Sequence, residues 1–171
     1  MSGSLILIDS DTASSSSSIS LTGMDSTFDV YVATIENLLH SEGAYDYVRF
    51  TVGGSADTSA NYDSAMKVFR ANGVFYNGAY TNQTFTYLSP YKKGTNTGSQ
   101  TNATFYIYNS QNSSEYTFAT FEESSLGTSG ALTGSQGGMV LTETQITDGI
   151  NFSPDAGNYP SGEFKLFGLK K

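Results

Sequence analysis

Tyr45-Asp46-Tyr47-Val48-Arg49-Phe50-Thr51-Val52, stopped by Gly53-Gly54, is the stretch that decides the fold class. From Val48 to Val52 apolar and polar residues alternate one for one. Side chains of an extended strand point to opposite faces in turn, so this period puts one face on a core and the other towards water. The paired glycines supply the turn that follows. The same period recurs on both sides of this stretch. Upstream it appears in Ile19-Ser20-Leu21 and in Phe28-Asp29-Val30-Tyr31-Val32-Ala33. Downstream it appears in Ala65 to Arg70 (ended by Asn72-Gly73), Ala103 to Tyr108, Tyr116 to Phe121, Met139 to Leu141, Ile150 to Phe152 and Phe164 to Phe167. With Leu5 to Ile8, these make about ten short strands.

Helical signals are weak. Thr34 to His40 is short and uncapped and reads as a strand end running into a loop. Asn61 to Val68 could open a helix, but the following Phe69 to Gly73 suits a strand and turn. Ser14–Ser18, Ser89–Asn102, Glu122–Gly138 and Ser153–Gly162 read as loops, being rich in Ser, Thr, Gly and Pro. None has the look of a linker between two packed units. The expectation is an all-β protein, an antiparallel β-sandwich of jelly-roll type, forming one domain over residues 1–171.

Composition agrees. The 171 residues suffice to bury roughly 70% of the unfolded surface, so neither metal nor disulfide is needed for stability. Hydrophobic residues are 37% and charged residues 14%, and the shortfall is taken by Ser, Thr, Asn and 18 glycines. Aromatics reach 13%, all Tyr and Phe, as suits strands. The net charge of −8 repels phosphate backbones and anionic lipid surfaces, which argues against nucleic-acid and membrane partners. There is no cysteine, so disulfides and thiolate zinc sites are excluded. Leu5 to Ile8 is too short for a signal-peptide core and has no basic residue before it, so a soluble protein made in the cytoplasm is expected.

Candidate catalytic chemistry is sparse. His40 is the one histidine, and a Ser-His-Asp triad would have to use it, yet no Gly-x-Ser-x-Gly elbow is present. It reads as a loop or edge histidine. Asp9, Asp11, Asp25, Asp29, Glu122 and Glu123 fall near strand ends or loops and read as solvated turn residues rather than a glycosidase pair. Asp9-Ser10-Asp11 lacks the Gly and distal Glu of a calcium loop. No phosphate-binding glycine pattern occurs. The expectation is no catalytic residue, no metal and no cofactor. Tyr76, Tyr80, Tyr87 and Tyr91 fall in one loop-rich quarter. They are the candidates for contact with a glycan or a protein partner, because rings stack on apolar sugar faces and tyrosine is enriched at interfaces.

Both termini carry longer motifs. Ser14 to Thr22 leads into Met24-Asp25-Ser26-Thr27-Phe28-Asp29-Val30-Tyr31, and Gly149-Ile150-Asn151-Phe152 precedes a loop and Ser161-Gly162-Glu163-Phe164-Lys165-Leu166-Phe167-Gly168-Leu169-Lys170. This pairing resembles a group of small virion proteins of tailed bacteriophages. The middle of the chain matches that group only as a compatible strand pattern, and Pro154 and Pro160 in the last loop depart from it. The resemblance implies a non-enzymatic structural role in the virion. Foremost is a capsid decoration (cement) protein that stabilises the head from outside, as a homo-oligomer with a trimer the expected number. Its partners would be its own copies and the major capsid or other virion proteins. The alternative is a glycan- or receptor-binding module of a head or tail fibre or neck. Residues 1–8 are the candidate docking arm, with Leu5, Ile6, Leu7 and Ile8 the candidate interface, able to add a strand to a neighbour or to pair within their own sheet.

Overall fold

The computed structural model describes residues 4–170. The Val48–Val52 alternation lies in a strand, as read, and the fold extends from it in two layers. Among the described residues thirteen strands follow one another: β1 (Ser4–Ala13), β2 (Ile19–Thr22), β3 (Val30–Leu38), β4 (Asp46–Val52), β5 (Ser55–Ala56), β6 (Tyr62–Arg70), β7 (Phe75–Gln83), β8 (Thr86–Tyr87), β9 (Thr101–Tyr108), β10 (Thr117–Leu126), β11 (Leu132–Leu141), β12 (Gly149–Pro154) and β13 (Gly162–Lys170). No helix occurs among the described residues. An eight-stranded sheet runs β1-β13-β3-β9-β10-β11-β6-β7 and a five-stranded sheet runs β2-β12-β4-β5, with β8 also on β4. Every pairing is antiparallel. The fold is the expected all-β sandwich.

The inner faces of both sheets share one hydrophobic cluster. Val48 and Phe50 of β4, Ile150 and Phe152 of β12, and Ile19 and Leu21 of β2 meet Ile35, Phe105, Phe121 and Phe164 from the larger sheet. Phe152 joins the layers, with ring centroids 5.4 Å from Phe105 and 5.5 Å from Phe164. The Gly53-Gly54 turn forms where expected, with φ of 59° and 75°, values that favour glycine and suit a tight hairpin.

Three expectations are corrected. Glu122–Gly138 is not a loop: β10 runs on to Leu126 and β11 begins at Leu132, paired in full register from Thr117↔Leu141 to Leu126↔Leu132. The quarter holding Tyr76 and Tyr80 contains β7, a nine-residue edge strand on β6. Thirteen strands therefore replace about ten. In β10 and β11 the inward positions beyond Phe121 carry Glu, Ser, Thr or Gly, and in β7 aromatic and polar residues fall on both faces, so the period of two leaves no clear hydrophobic trace.

Candidate functional site

The candidate arm is placed first. Met1 to Gly3 lie outside the described residues. From Ser4 on, the arm is β1, one edge of the larger sheet, paired internally with β13 from Ser4↔Lys170 to Ala13↔Gly162. Of the four interface candidates, Leu5, Ile6 and Leu7 are exposed, at 51%, 43% and 55%. Ile8, on the same side of the strand as Ile6, packs against the core, and the register shift between Leu7 and Asp9 sets Asp9, Asp11 and Ala13 opposite the inward-facing Leu166, Phe164 and Gly162. Leu5 and Leu7 stand opposite Leu169 and Phe167, so they prolong an apolar strip on the outer face of β13. The second side of β1 carries no strand among the described residues. Asp9 and Asp11 sit within this strand, where Asp9 accepts hydrogen bonds from the Ser10 and Thr22 amides.

The four tyrosine candidates do converge. Tyr76 meets Tyr91 edge-on at 6.2 Å, and Tyr80 meets Tyr87 at 5.1 Å. Tyr87 in turn touches Tyr45, Tyr47 and Phe85, and Tyr47 stacks face to face on Phe85 at 3.7 Å. Cations occupy further positions: Arg70 lies 4.4 Å from the Tyr91 centroid, Lys92 5.2 Å from Tyr45, and Arg49 about equally near Tyr47 and Phe85. The rings thus spend their faces on one another and on cations. The cluster ties β7 and β8 to β4 across the open end of the sandwich.

Two buried polar groups went unread in the sequence. His40 is not at a solvent-facing edge but 2% exposed in the segment after β3. Its Nε2 lies 2.7 Å from Asp46 Oδ1, which also accepts a hydrogen bond from the Tyr159 hydroxyl at 2.9 Å. Burial alone would raise the Asp46 carboxyl. The charge and hydrogen bond of His40, together with Lys93 and the Tyr159 hydroxyl, outweigh that, so the group is held below its ordinary value. His40 Nδ1 and Asp46 Oδ2 are buried without a hydrogen-bond partner. Among the described residues no hydroxyl hydrogen-bonds the imidazole on that side, as a triad nucleophile would; the pair fastens the segment after β3 to the start of β4, and Tyr159 adds the loop before β13.

Glu123, read as a turn carboxylate, is 6% exposed on the inner face of β10. Lys93, from the segment between β8 and β9, donates to Glu123 Oε1 at 2.6 Å and to Ser125 Oγ at 3.2 Å, while Ser135 donates to Glu123 Oε2 at 2.5 Å. Each oxygen and the ammonium are therefore satisfied, as a buried pair requires. Among the described residues, no group of three or more His, Asp or Glu is arranged to hold a metal ion. No protein-family model matches the chain, and no curated protein matches it.

Proposed function

We propose that the chain is a non-enzymatic structural protein of a tailed-bacteriophage virion. In this reading it is a capsid decoration protein that assembles on the head surface with its own copies and with the major capsid protein. The observation that carries the reading is the β1 edge. A ten-residue strand leaves its backbone donors and acceptors open on one side and exposes Leu5, Ile6 and Leu7 in succession. Natural sheets blunt or cover such edges, because an open apolar edge recruits another chain. Strand addition at this edge, backed by the apolar strip with Phe167 and Leu169, suits a symmetric oligomer or a seat on a capsid subunit. The resemblance of the terminal motifs to phage virion proteins supports the virion setting. So does the packing of one motif against the other through Phe28 and Gly168.

Sedimentation of the purified protein, followed by co-sedimentation with expanded capsids lacking it, tests the reading. The expected result is an oligomer that binds capsids. The double variant Leu5→Asp, Leu7→Asp is expected to remain folded but to run as a monomer and stay unbound. A wild-type monomer that ignores capsids overturns the proposal.

A further inference from the structure

The outer face of the eight-stranded sheet carries a feature that edge assembly does not use. Three open hollows adjoin along β10. One lies over Thr34, Glu36, Asn102 and Ser124. The next, of about 470 Å³, lies over Tyr106, Gln136 and Gly137. The third lies over Ala65, Ala79, Phe118 and Gly138. The first and second share Thr104 and Glu122, and the second and third share Thr120, so together they form one trough. From Phe118 to Ser124 it spans six strand steps, roughly 20 Å at the rise of an extended chain.

The walls differ from the tyrosine cluster at the sandwich end. The lining rings Tyr106 and Phe118 are 45% and 44% exposed. No ring or cation stacks on them among the described residues, so their faces are available. Between them stand the hydroxyls of Thr104 and Thr120, the Gln136 amide and the Glu122 carboxylate, the last two joined by a 2.6 Å hydrogen bond. Free rings beside hydroxyl, amide and carboxylate groups fit a ligand with apolar C–H faces and a rim of hydroxyls.

Charge narrows the choice. Glu36, Glu122 and Asp63 are among the lining residues and no lysine or arginine is; Lys165 pairs with Glu36 at 3.1 Å from the next strand and Lys67 stands opposite Gln136, so the trough keeps a small net negative charge. Polyanions, whether uronate polymers or nucleic acids, are repelled. A dry protein interface would bury the Glu122 carboxylate without a counter-charge, whereas interface cores are depleted of charge. Sugar hydroxyls can donate to that carboxylate instead.

We propose that the trough along β10 binds a neutral linear oligosaccharide. Tyr106 and Phe118 stack on sugar faces, while Thr104, Thr120, Glu122 and Gln136 hydrogen-bond its hydroxyls.

The test is amide chemical-shift titration of the full chain with cellohexaose, maltohexaose and chitohexaose, alongside the anionic hexagalacturonate. At least one neutral hexamer is expected to bind with Kd of about 1 mM or tighter, with shifts confined to β9, β10, β11 and the trough-lining parts of β3, β6 and β7. Tyr106→Ala and Phe118→Ala each weaken binding about fivefold or more, the size of a lost ring contact. Tyr76→Ala leaves affinity unchanged, and so does the Leu5→Asp, Leu7→Asp variant, which separates this site from edge assembly. Tyr106→Leu, which keeps the apolar bulk over Val32, checks that affinity follows the ring and not the fold. The proposal is overturned if none of the three neutral hexamers shifts these amides. Equal binding of hexagalacturonate overturns it as well, as does a Tyr106→Ala protein that loses self-association and shows no sugar effect, since the face is then a protein interface.

Discussion

The ring of Phe28 lies directly over the α-carbon of Gly168: a Cβ on Gly168 would collide with Phe28 Cδ2 and Cε2. This contact joins the two terminal motifs. Asp25 to Thr27 is fixed just before it, because the Tyr31 hydroxyl donates to the Asp25 carbonyl at 2.5 Å and accepts from the Asp25 amide at 2.8 Å. The glycine of the closing motif is therefore a matter of space, since the aromatic ring of the opening motif occupies the place of a side chain. Gly168→Ala is expected to destabilise the protein by about 1–3 kcal/mol, the usual cost of forcing a methyl into packed space. In combination with Phe28→Ala, the two substitutions should cost less than their sum by chemical denaturation; strict additivity would refute the contact.

Asp46 sets the acid limit of stability. Its carboxyl is held below its ordinary value in the fold, so the stabilisation it supplies is complete above the unfolded carboxyl range. That stabilisation is lost as pH falls through the lower, folded value. Melting temperature followed from pH 7 to pH 3 should therefore drop for the wild type. Asp46→Asn should lose about 3 kcal/mol of stability at pH 7, as for a broken buried pair, so it melts lower there and its acid limb is flatter. An unchanged limb would remove Asp46 from the account.

Lys93 and Glu123 should behave as a unit. Lys93→Met leaves the Glu123 carboxylate buried beside Ser135 alone, and Glu123→Gln leaves the ammonium without its anion. Each is expected to cost about 3–5 kcal/mol. Replacing both, Lys93→Met with Glu123→Met, should recover much of that loss, because two matched apolar groups need no hydrogen bonds. A thermodynamic cycle on the two sites measures the coupling directly.

Tyr62 spans the layers with its hydroxyl. The Phe50 amide of the smaller sheet donates to it at 3.0 Å, and burial pushes its ionisation upward. Tyr62→Phe keeps the ring pair with Phe50 but orphans that amide, so a loss of about 1–2 kcal/mol is expected. Hydrogen exchange of the Phe50 amide should quicken at the same time; protection equal to wild type would show that the bond is dispensable.

The fold class was legible wherever one strand face carries aliphatic or aromatic groups. Val48 and Phe50 meet the core through every second residue, and two glycines at positive φ close the following turn. The candidate sites were legible only in part. Leu5 to Leu7 are visible as an apolar run, but that Ile8 packs on the core while they stay exposed depends on how β1 pairs with β13. Tyr76, Tyr80, Tyr87 and Tyr91 do gather, but that their faces are spent on Tyr45, Tyr47, Phe85, Arg70 and one another is a property of the packed end. The trough escaped notice because Thr104, Thr120 and Gln136 are unremarkable strand residues until three strands align them.

What the order of residues determines by itself is local: extended backbone, turns, and an apolar face where that face is made of carbon. Which polar groups go inside is settled by contacts between distant parts of the chain. Glu123, Ser125 and Ser135 read as loop because their inward face is polar, and that face is tolerable only because Lys93 arrives from 30 residues away. His40 reads as an edge residue, and it is buried because Asp46 receives Tyr159 from 113 residues on. A buried charge needs its partner delivered through space. Periodicity reports only which way a side chain points, so it cannot announce that partner.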